Sequence, residues 1–309
     1  MVSCTATACR EESLERTVAF ASLVTALAVA WADASEPRAF ARAVLDPDGV
    51  AWSAAQDGGR PRVVDALDAL LAGFVRAGRV DYGALAADRA PLDRTLTAIA
   101  AVTAQEFDGW DRARKVAYLI NAYNAYAVAT VVEHRNVRRG FFTRPLRSIR
   151  EIPGVFSGIR HRVAGRALTL DDIEHDWLRE RLHEPRVHFA LVCAAVSCPE
   201  LRPEAYRADR LDEQLDDQVR RFVRDPSKLR IDREAERVHL SKILDWYGED
   251  FRRFAPESSF VDGDPNVRGV LAFIRGYLPE EEARDLEAGG YRVRFFGYDW
   301  SLNDTTLAR

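Results

Sequence analysis

Apolar residues recur at helical spacing in several parts of the chain. Between residues 62 and 77 they fall three or four positions apart, which predicts an amphipathic helix, and residues 92–107 repeat the pattern more weakly. From 110 to 134 apolar residues cover most of the helical circumference, so a long, buried helix is predicted there. Further helices are predicted over 211–223 and 267–277.

Short apolar runs bounded by turn residues predict strands in the second half of the chain. Residues 159–163 and 166–168 flank Ala164-Gly165 and are predicted to form a hairpin. The other strands of this kind are 229–232 and 237–240, which predict a second hairpin, and 291–296.

The run 186–194 is nearly all apolar and is predicted to be an internal strand. The alternation of side chains along a strand would place Cys193 on one face, with Val187, Phe189 and Leu191, and His188 on the other. Cys198 follows this run after a short turn and precedes Pro199, a residue that suits the first position of a helix. We therefore expect Cys198 at a helix N-terminus.

Two further helix starts are marked by capping residues. Thr169 and Asp172 have the spacing of an N-terminal cap with an acidic third residue. On the helix that this cap opens, His175 shares a face with Leu178 and is expected to point inward. Ser241 is predicted to cap a helix over 242–251.

These elements predict an α+β fold: a single mixed domain in which helices pack on a small, mostly antiparallel sheet. The domain is assigned to residues 60–303, after an irregular lead-in over 35–59 and before a tail over 304–309.

The first 34 residues have the features of a secretory signal peptide. Residues 18–31 are apolar and uncharged, too short to span a bilayer comfortably, and end beside the small-residue cleavage pattern Ala32-Asp33-Ala34. The acidic stretch upstream is atypical, and an uncleaved anchor or a buried N-terminal helix are the alternatives. Cleavage predicts a periplasmic or secreted protein that has no membrane segment.

Composition narrows the class of protein. The 309 residues are 47% hydrophobic and 30% charged, which excludes wholesale disorder. The 44 basic and 48 acidic residues give a net charge of −4, so no nucleic-acid partner is expected. Four cysteines are too few for a disulfide-built scaffold, and Cys4 and Cys9 would leave with the signal peptide.

The chemistry-bearing residues are concentrated in 171–206, which hold three of the six histidines and both remaining cysteines. A thiol at a helix N-terminus has a lowered pKa, so Cys198 is the candidate nucleophile. His188 or His175 is the candidate base, and Glu174 or an Asn side chain the group that orients it.

Each of these residues also has a structural interpretation. Cys193 either serves only for packing or forms a disulfide with Cys198 that would disable the nucleophile. Zinc on the four His and Cys residues is disfavoured because the spacing lacks the short clips of structural sites, so no metal and no cofactor is predicted. Asn121 and Asn124 either bind loop backbone or line a polar binding pocket. Four aromatic residues could wall a groove or pack in the core: Trp246, Tyr247, Tyr298 and Trp300.

Several motifs follow one another along the chain: VDYGAL (80–85), YLINAYNAYAV (118–128), LTLDDIEHDWLR (168–179), RVHFALVCAAVSCPELRPEAY (186–206), LSKILDWYGEDF (240–251) and YDWSLN (298–303). Over roughly residues 60–303 their order resembles the domain-of-unknown-function family 547 (DUF547). The family pattern has counterparts of Glu174, His175, His188, Cys193 and Cys198 and of the Asn121/Asn124 pair. The resemblance implies a shared polar site but names no reaction.

Two functional hypotheses follow. The first is a secreted thiol-dependent hydrolase or acyl transferase, papain- or transglutaminase-like in logic, that acts on an amide or thioester of a small peptide-like substrate. The second is a non-catalytic periplasmic module for binding or assembly, with a partner peptide and a structural Cys193–Cys198 pair.

Overall fold

A computed structural model describes residues 62–139, 142–255 and 263–307. These residues belong to one compact unit, 53–309. The predicted signal peptide (1–34) and lead-in (35–59) lie outside the described residues.

The first part of the described chain is helical. Its helices are α1 (Val63–Phe74), α2 (Tyr82–Ala87), α3 (Ala90–Ala101), α4 (Ala104–Asp108) and α5 (Arg112–Glu133). The single helix predicted over 92–107 is two helices, because Val102 is extended and Thr103 starts a new helix by accepting the Glu106 N–H at 3.1 Å. The long helix is confirmed as α5, which Asp111 caps and which is buried at every position from Val116 to Val132.

The strands of the described residues form four small sheets. Three are two-stranded and antiparallel: β1 (Val75–Arg76) with β2 (Arg79–Val80), β3 (Asn136–Arg139) with β4 (Phe142–Pro145), and β5 (His161–Val163) with β6 (Arg166–Leu168). In the fourth sheet β8 (Arg237–Leu240) lies between antiparallel β7 (Leu229–Asp232) and parallel β9 (Arg292–Phe295). Both predicted hairpins and the final strand are confirmed. Ala164 and Gly165 both have positive φ (51° and 69°), as a tight type I′ turn requires.

Helices and short 3₁₀ segments complete the α+β architecture. They are α6 (Leu211–Arg224), α7 (Lys242–Trp246), α8 (Pro265–Arg275) and α9 (Glu280–Ala288), with 3₁₀ turns at Ile149–Glu151, Pro185–Phe189, Ala208–Arg210 and Gly248–Phe254. Ser241 caps α7 as predicted, but the helix ends at Trp246 and the chain continues as the 3₁₀ segment Gly248–Phe254.

Two hydrophobic clusters form the core. The larger surrounds α5, and the smaller is formed by residues of α6, the β7–β8–β9 sheet and α8. Val187 belongs to the first cluster and Phe189 to the second, so the short helix Pro185–Phe189 lies where the two clusters meet. No helix in the described ranges is long and apolar enough to cross a bilayer.

The predicted strand over 186–194 is wrong. Pro185 begins a 3₁₀ helix that runs to Phe189, and Glu184 caps it by accepting the Arg186 N–H at 3.2 Å. Beyond this helix the backbone is irregular, and its polar groups bind the Asn124 side chain instead of a neighbouring strand: Ala190 O accepts from Nδ2 at 3.0 Å, and Val192 N donates to Oδ1 at 2.8 Å. Strand alternation therefore does not set the directions of His188 and Cys193.

The expected helix after Cys198 is also absent. Residues 198–201 lie in a bend followed by irregular chain, so no helix dipole acts on this thiol.

Candidate active site

A tight loop brings the two cysteines together. Ala194 adopts a left-handed conformation (φ 59°), and the Cys198 N–H then donates to Ala195 O at 3.1 Å. The loop is held from outside by residues near the C-terminus: Val196 N donates to Ser301 O at 2.8 Å, and Asn303 N donates to Ala194 O at 3.0 Å. The conformation that places the thiols depends on a segment about a hundred residues away in sequence.

The two sulfur atoms are in direct contact. Their Sγ atoms are 2.6 Å apart, and both thiols are free. Cys198 Sγ also accepts the Cys193 backbone N–H at 3.1 Å, and it lies 3.2 Å from the Tyr298 hydroxyl, which is 3.4 Å from Cys193 Sγ. Cys198 is buried, and Cys193 is partly exposed.

These contacts separate the acidities of the two thiols. Burial raises the pKa of Cys198, but hydrogen bonds from Cys193 and Tyr298 and to the backbone outweigh burial and lower it below its usual value. The hydrogen bond to Cys198, followed by burial, raises the pKa of Cys193 well above its usual value. Cys198 is thus the member of the pair that ionises first, through local donors and not through the helix dipole expected from sequence.

His188 is held by a carboxylate that sequence reasoning did not single out. Its Nε2 lies 2.7 Å from Asp250 Oδ2, and Arg179 binds both oxygens of Asp250, at 2.6 and 2.9 Å. Burial opposes ionisation of Asp250, yet the hydrogen bonds from His188 and Arg179 hold its pKa well below the usual range. The His188 ring stacks on Tyr247, with a centroid distance of 4.1 Å. Asp250, not Glu174, is therefore the group that orients this imidazole.

Glu174 and His175 lie on a π-helix, Asp172–Arg181. Thr169 and Asp172 form the predicted cap: Asp172 N donates to Thr169 Oγ1 at 3.0 Å, and Thr169 N donates to Asp172 Oδ2 at 2.8 Å. Because a π-helix turns more slowly than an α-helix, side chains three positions apart no longer share a face. His175 is accordingly more than a third exposed, and the expectation that it points inward is wrong. Glu174 is the buried residue, at 8% exposure.

A pocket with about 140 Å³ of space for water-sized molecules connects these groups. Cys193, Cys198, His188, Glu174 and Asp171 all line it. The rest of its lining is Tyr123, Phe156, Leu191, Ile243, Trp246, Tyr247, Tyr298 and Trp300. Cys198 and His188 thus face one cavity, although no hydrogen bond joins them in the described structure. His175 does not line it, and its Nδ1 lies 2.9 Å from Arg179 Nη1.

The two asparagines of α5 bind loop backbone. Asn121 holds Tyr206 by two hydrogen bonds, Nδ2 to the carbonyl at 2.8 Å and the backbone N–H to Oδ1 at 2.9 Å. Asn124 holds Ala190 and Val192 in the same way. Both residues hydrogen-bond loop backbone, as the first of the two interpretations describes, and neither lines the pocket of Cys198.

The comparisons with known proteins give one match. Residues 107–223 match the sequence model of the family described as "Protein of unknown function, DUF547". The chain contains a DUF547 domain. No curated protein and no solved structure matches the chain.

The match confirms the resemblance, and it covers only some of the residues of the candidate site. The matched part of the DUF547 domain contains Glu174, His188, Cys193 and Cys198, whereas Asp250 and the aromatic residues 298 and 300 come from beyond it. Asp250 was missed because it follows the helix of Trp246 and reaches His188 only through the tertiary fold, 62 residues away in sequence. Its only sequence signal was its place in the motif LDWYGEDF, which also carries the pocket residue Trp246.

The DUF547 domain offers no ready metal site within the part of the chain that the structure describes. There, no group of three or more His, Cys, Asp or Glu side chains is arranged to hold a metal ion. His188 Nε2 is bound to Asp250, and the two sulfurs contact each other.

Proposed function

We propose that the protein is a thiol-dependent hydrolase or acyl transferase that acts on an amide or thioester of a peptide-like substrate. Cys198 is the nucleophile, His188 the general acid and base, and Asp250 the residue that positions His188. The observation that carries the proposal is that one pocket is lined both by the more acidic thiol of a contacting pair and by an imidazole bound to a carboxylate.

The reaction proceeds in two acyl-transfer steps. His188 takes the proton of the Cys198 thiol, and the thiolate attacks the substrate carbonyl carbon and forms a C–S bond. The C–N or C–S bond to the leaving group then breaks, and the leaving amine or thiol takes its proton from the His188 imidazolium. Water, or an acceptor amine, next attacks the thioester and gives its proton to His188. The products are a carboxylic acid, or a new amide, and the free Cys198 thiol.

The Nδ1 atom of His188 is suited to this role. Nε2 is occupied by Asp250, and Nδ1 has no hydrogen-bond partner among the described residues. A carboxylate on one ring nitrogen fixes the tautomer and stabilises the imidazolium that forms during proton transfer. Catalytic hydrogen bonds are often long before substrate binds, so thiol and imidazole need only share the pocket in the free protein.

Thiol labelling tests the proposal directly. Reduced protein is treated with iodoacetamide at pH 7, and labelling of each cysteine is followed by peptide mass spectrometry. We expect Cys198 to react at least about tenfold faster than free cysteine, and faster than Cys193, because its pKa is lowered. Slower reaction of Cys198 than of free cysteine would overturn the assignment.

Variants of the His188–Asp250 pair extend the test. His188→Ala and Asp250→Asn should slow labelling of Cys198, because the base that takes the Cys198 proton is removed or loses the carboxylate that positions it. Asp245→Asn is the matched control: this exposed carboxylate is paired with Lys242 on the surface of α7 and lies outside the pocket. Equal effects of all three variants would contradict the proposed pairing.

A second candidate is favoured by the sulfur contact itself. A separation of 2.6 Å leaves little movement before the two sulfurs could bond, which suits a binding or assembly module with a structural Cys193–Cys198 pair. Mass spectrometry of the mature protein without reductant distinguishes the two. A loss of two hydrogens relative to the reduced protein, with no accessible thiol, would favour the module.

We also propose that the protein acts in the periplasm or outside the cell. The support is the uncharged apolar run 18–31 with the small-residue pattern at 32–34. Mass spectrometry of the mature N-terminus tests this: a chain that begins after Ala34 is expected, and one that keeps the apolar run would contradict it.

A further inference from the structure

The charged side chains that line the pocket beside Cys198 are mainly acidic. Among the described residues, the ionisable lining of this pocket, apart from the two thiols, the tyrosines and His188, consists of the carboxyl groups of Asp171 and Glu174, and no described Lys or Arg lines it. The nearby cation Arg179 is turned to Asp250. Arg150 stacks on Trp300 at 4.9 Å but does not line the pocket. Apart from His188, an anionic substrate group would therefore meet only like charge in the pocket lining.

Glu174 is the more telling of the two carboxyl groups. It is only 8% exposed, and it interacts with the Tyr247 hydroxyl. Burial, together with the charge of Glu174, raises the pKa values of both Tyr247 and Tyr123, two tyrosines that line the pocket with it. A carboxylate has two oxygens and about four acceptor sites, so most of its capacity is left for a donor inside the pocket.

Three aromatic rings form the wall of the same pocket. The ring centroids of Tyr298 and Trp300 are 4.5 Å apart, those of Trp246 and Tyr298 4.8 Å, and those of Trp246 and Trp300 5.9 Å. Trp246 is 44% exposed, a high value for an indole, so its ring is available at the rim of the pocket. Aromatic faces attract cations electrostatically and exclude water from them, and Trp is the most effective of the three types.

The aromatic wall begins at the nucleophile. The Tyr298 hydroxyl is 3.2 Å from Cys198 Sγ, and the Tyr298 ring is in turn packed against both tryptophans. A substrate group held between the wall and Glu174 would consequently lie next to the bond that Cys198 attacks.

From this arrangement we infer that the pocket selects peptide-like substrates that carry a primary ammonium group next to the scissile carbonyl, held by Glu174 and Asp171 and by the faces of Trp246 and Trp300. The inference rests on the proposed function and adds the substrate class. Two sources supply this chemistry, a lysine side chain and a free amino terminus, and the experiment separates them.

Peptide vinyl sulfones that differ only beside the electrophile provide the test. In the first set the residue at that position is lysine, norleucine or glutamate, and the amino terminus of the peptide is acetylated. In the second set the residue is norleucine, preceded by one glycine whose amino terminus is either free or acetylated. The second-order rate of Cys198 modification is measured by mass spectrometry. We expect one ammonium probe, lysine or free amino terminus, to react at least about tenfold faster than its neutral match, and the glutamate probe to be the slowest.

A pair of variants connects the preference to the pocket. Glu174→Gln keeps the shape of the side chain and removes its charge, and should reduce the preference of the ammonium probe over its neutral match to below about threefold. Asp176→Asn is the control: it removes the same charge two residues away, at an exposed position outside the pocket, and should keep the full preference. The readout is the ratio of the rates of two probes on the same protein. A loss of folded protein lowers both rates and therefore leaves this ratio unchanged.

The outcomes separate this inference from the proposed function. If Cys198 reacts with all probes at similar rates, or prefers the ammonium probe equally in Glu174→Gln, the assigned substrate class is wrong while the nucleophile stands. If no probe modifies Cys198 faster than Cys193, the proposed function itself fails.

Discussion

At the scale of single residues, His161 is enclosed in the core without a hydrogen bond to either ring nitrogen in the described structure. It is 3% exposed and stacks on Tyr126, with a centroid distance of 4.3 Å. Burial lowers its pKa from 6.5 to about 4, because the protonated ring would lose its hydration without gaining a partner. The folded protein therefore keeps this imidazole neutral.

This residue predicts an acid-sensitive stability. The folded pKa lies below the unfolded one, so the unfolded state binds the proton more readily, and stability that is complete above about pH 6.5 falls as the pH decreases toward 4. The loss from this group approaches about 3 kcal/mol at the acid end. Urea unfolding at pH 7.5 and pH 5 should show the decrease, and His161→Phe should be less sensitive to pH than the wild type. His183→Gln, at an exposed position, serves as the control; an unchanged pH dependence in His161→Phe would contradict the prediction.

The two asparagines of α5 allow a paired prediction. Each carboxamide makes two hydrogen bonds to loop backbone, so Asn121→Ala and Asn124→Ala should each lower the free energy of unfolding by about 2–4 kcal/mol, since buried peptide groups lose their partners. Only Asn124 holds the chain that leads to Cys193, so only Asn124→Ala should also change the alkylation rate of Cys198. Urea denaturation and peptide mass spectrometry measure the two effects. Equal changes in the Cys198 alkylation rate in the two variants would contradict the separate role given to Asn124.

The residues of the candidate site differ in how far their roles could be predicted from the sequence. Cys198 and His188 could be selected as candidates because their chemistry and their proximity in sequence are visible in one stretch. The source of the Cys198 acidity could not, since it lies in the contact with the Cys193 thiol and in a tyrosine a hundred residues further along. For the same reason Glu174, adjacent to a histidine in sequence, was given the orienting role that Asp250 fills.

At the scale of elements, the predictions that depended on local pattern were confirmed. The α5 helix and the β5–β6 and β7–β8 hairpins carry their own capping, burial and turn signals. The strand over 186–194 was wrong because a short apolar run has no periodicity that distinguishes a strand from other buried chain, and its hydrogen-bond partner is a side chain of α5. The π-helix was missed because cap and apolar spacing also fit an α-helix.

The contact between α8 and the 3₁₀ segment Gly248–Phe254 provides a prediction at this scale. A Cβ on Gly269 would lie 2.2 Å from the carbonyl oxygen of Phe251, beside the residue that binds His188. Gly269→Ala must push the two elements apart, so we expect a loss of about 2–3 kcal/mol in unfolding free energy and slower labelling of Cys198.

Gly73→Ala is the matched control for that substitution. Gly73 lies in α1 with no atom within 4 Å of an added Cβ, so alanine should be neutral or stabilising by about 0.5–1 kcal/mol. Chemical denaturation of both variants checks the difference. A Gly269→Ala protein as stable as the wild type would mean that the two elements can separate freely.

At the scale of the whole molecule, residues 299–305 connect parts that are distant in sequence. Their backbone binds Val80 on β2, Arg147, and the loop 194–197 through hydrogen bonds of 2.8–3.2 Å. Tyr82 adds a buried hydrogen bond from its hydroxyl to Asn303 Oδ1 at 2.8 Å. This segment carries the motif YDWSLN, and its position beside the thiols follows from tertiary pairing alone.

Truncation tests the importance of this segment. A protein that ends after Gly297 loses these hydrogen bonds and the packing of Tyr298 and Trp300, and its melting temperature should fall by at least about 10 °C, with loss of selective Cys198 labelling. A protein that ends after Thr305 keeps the hydrogen bonds with Val80 and should melt within a few degrees of the full chain. Similar melting of the two truncations would refute the connecting role.

The late position of Tyr298 in the chain has a consequence for biosynthesis. The loop of Cys193 and Cys198 leaves the ribosome about a hundred residues before the tyrosine that contacts both sulfurs and the backbone that pairs with the loop. Because a chain emerges from its N-terminal side, both thiols exist for that interval without the Tyr298 contact, one of those that lower the pKa of Cys198. The full set of contacts around Cys198 is therefore complete only after these distant residues have been added.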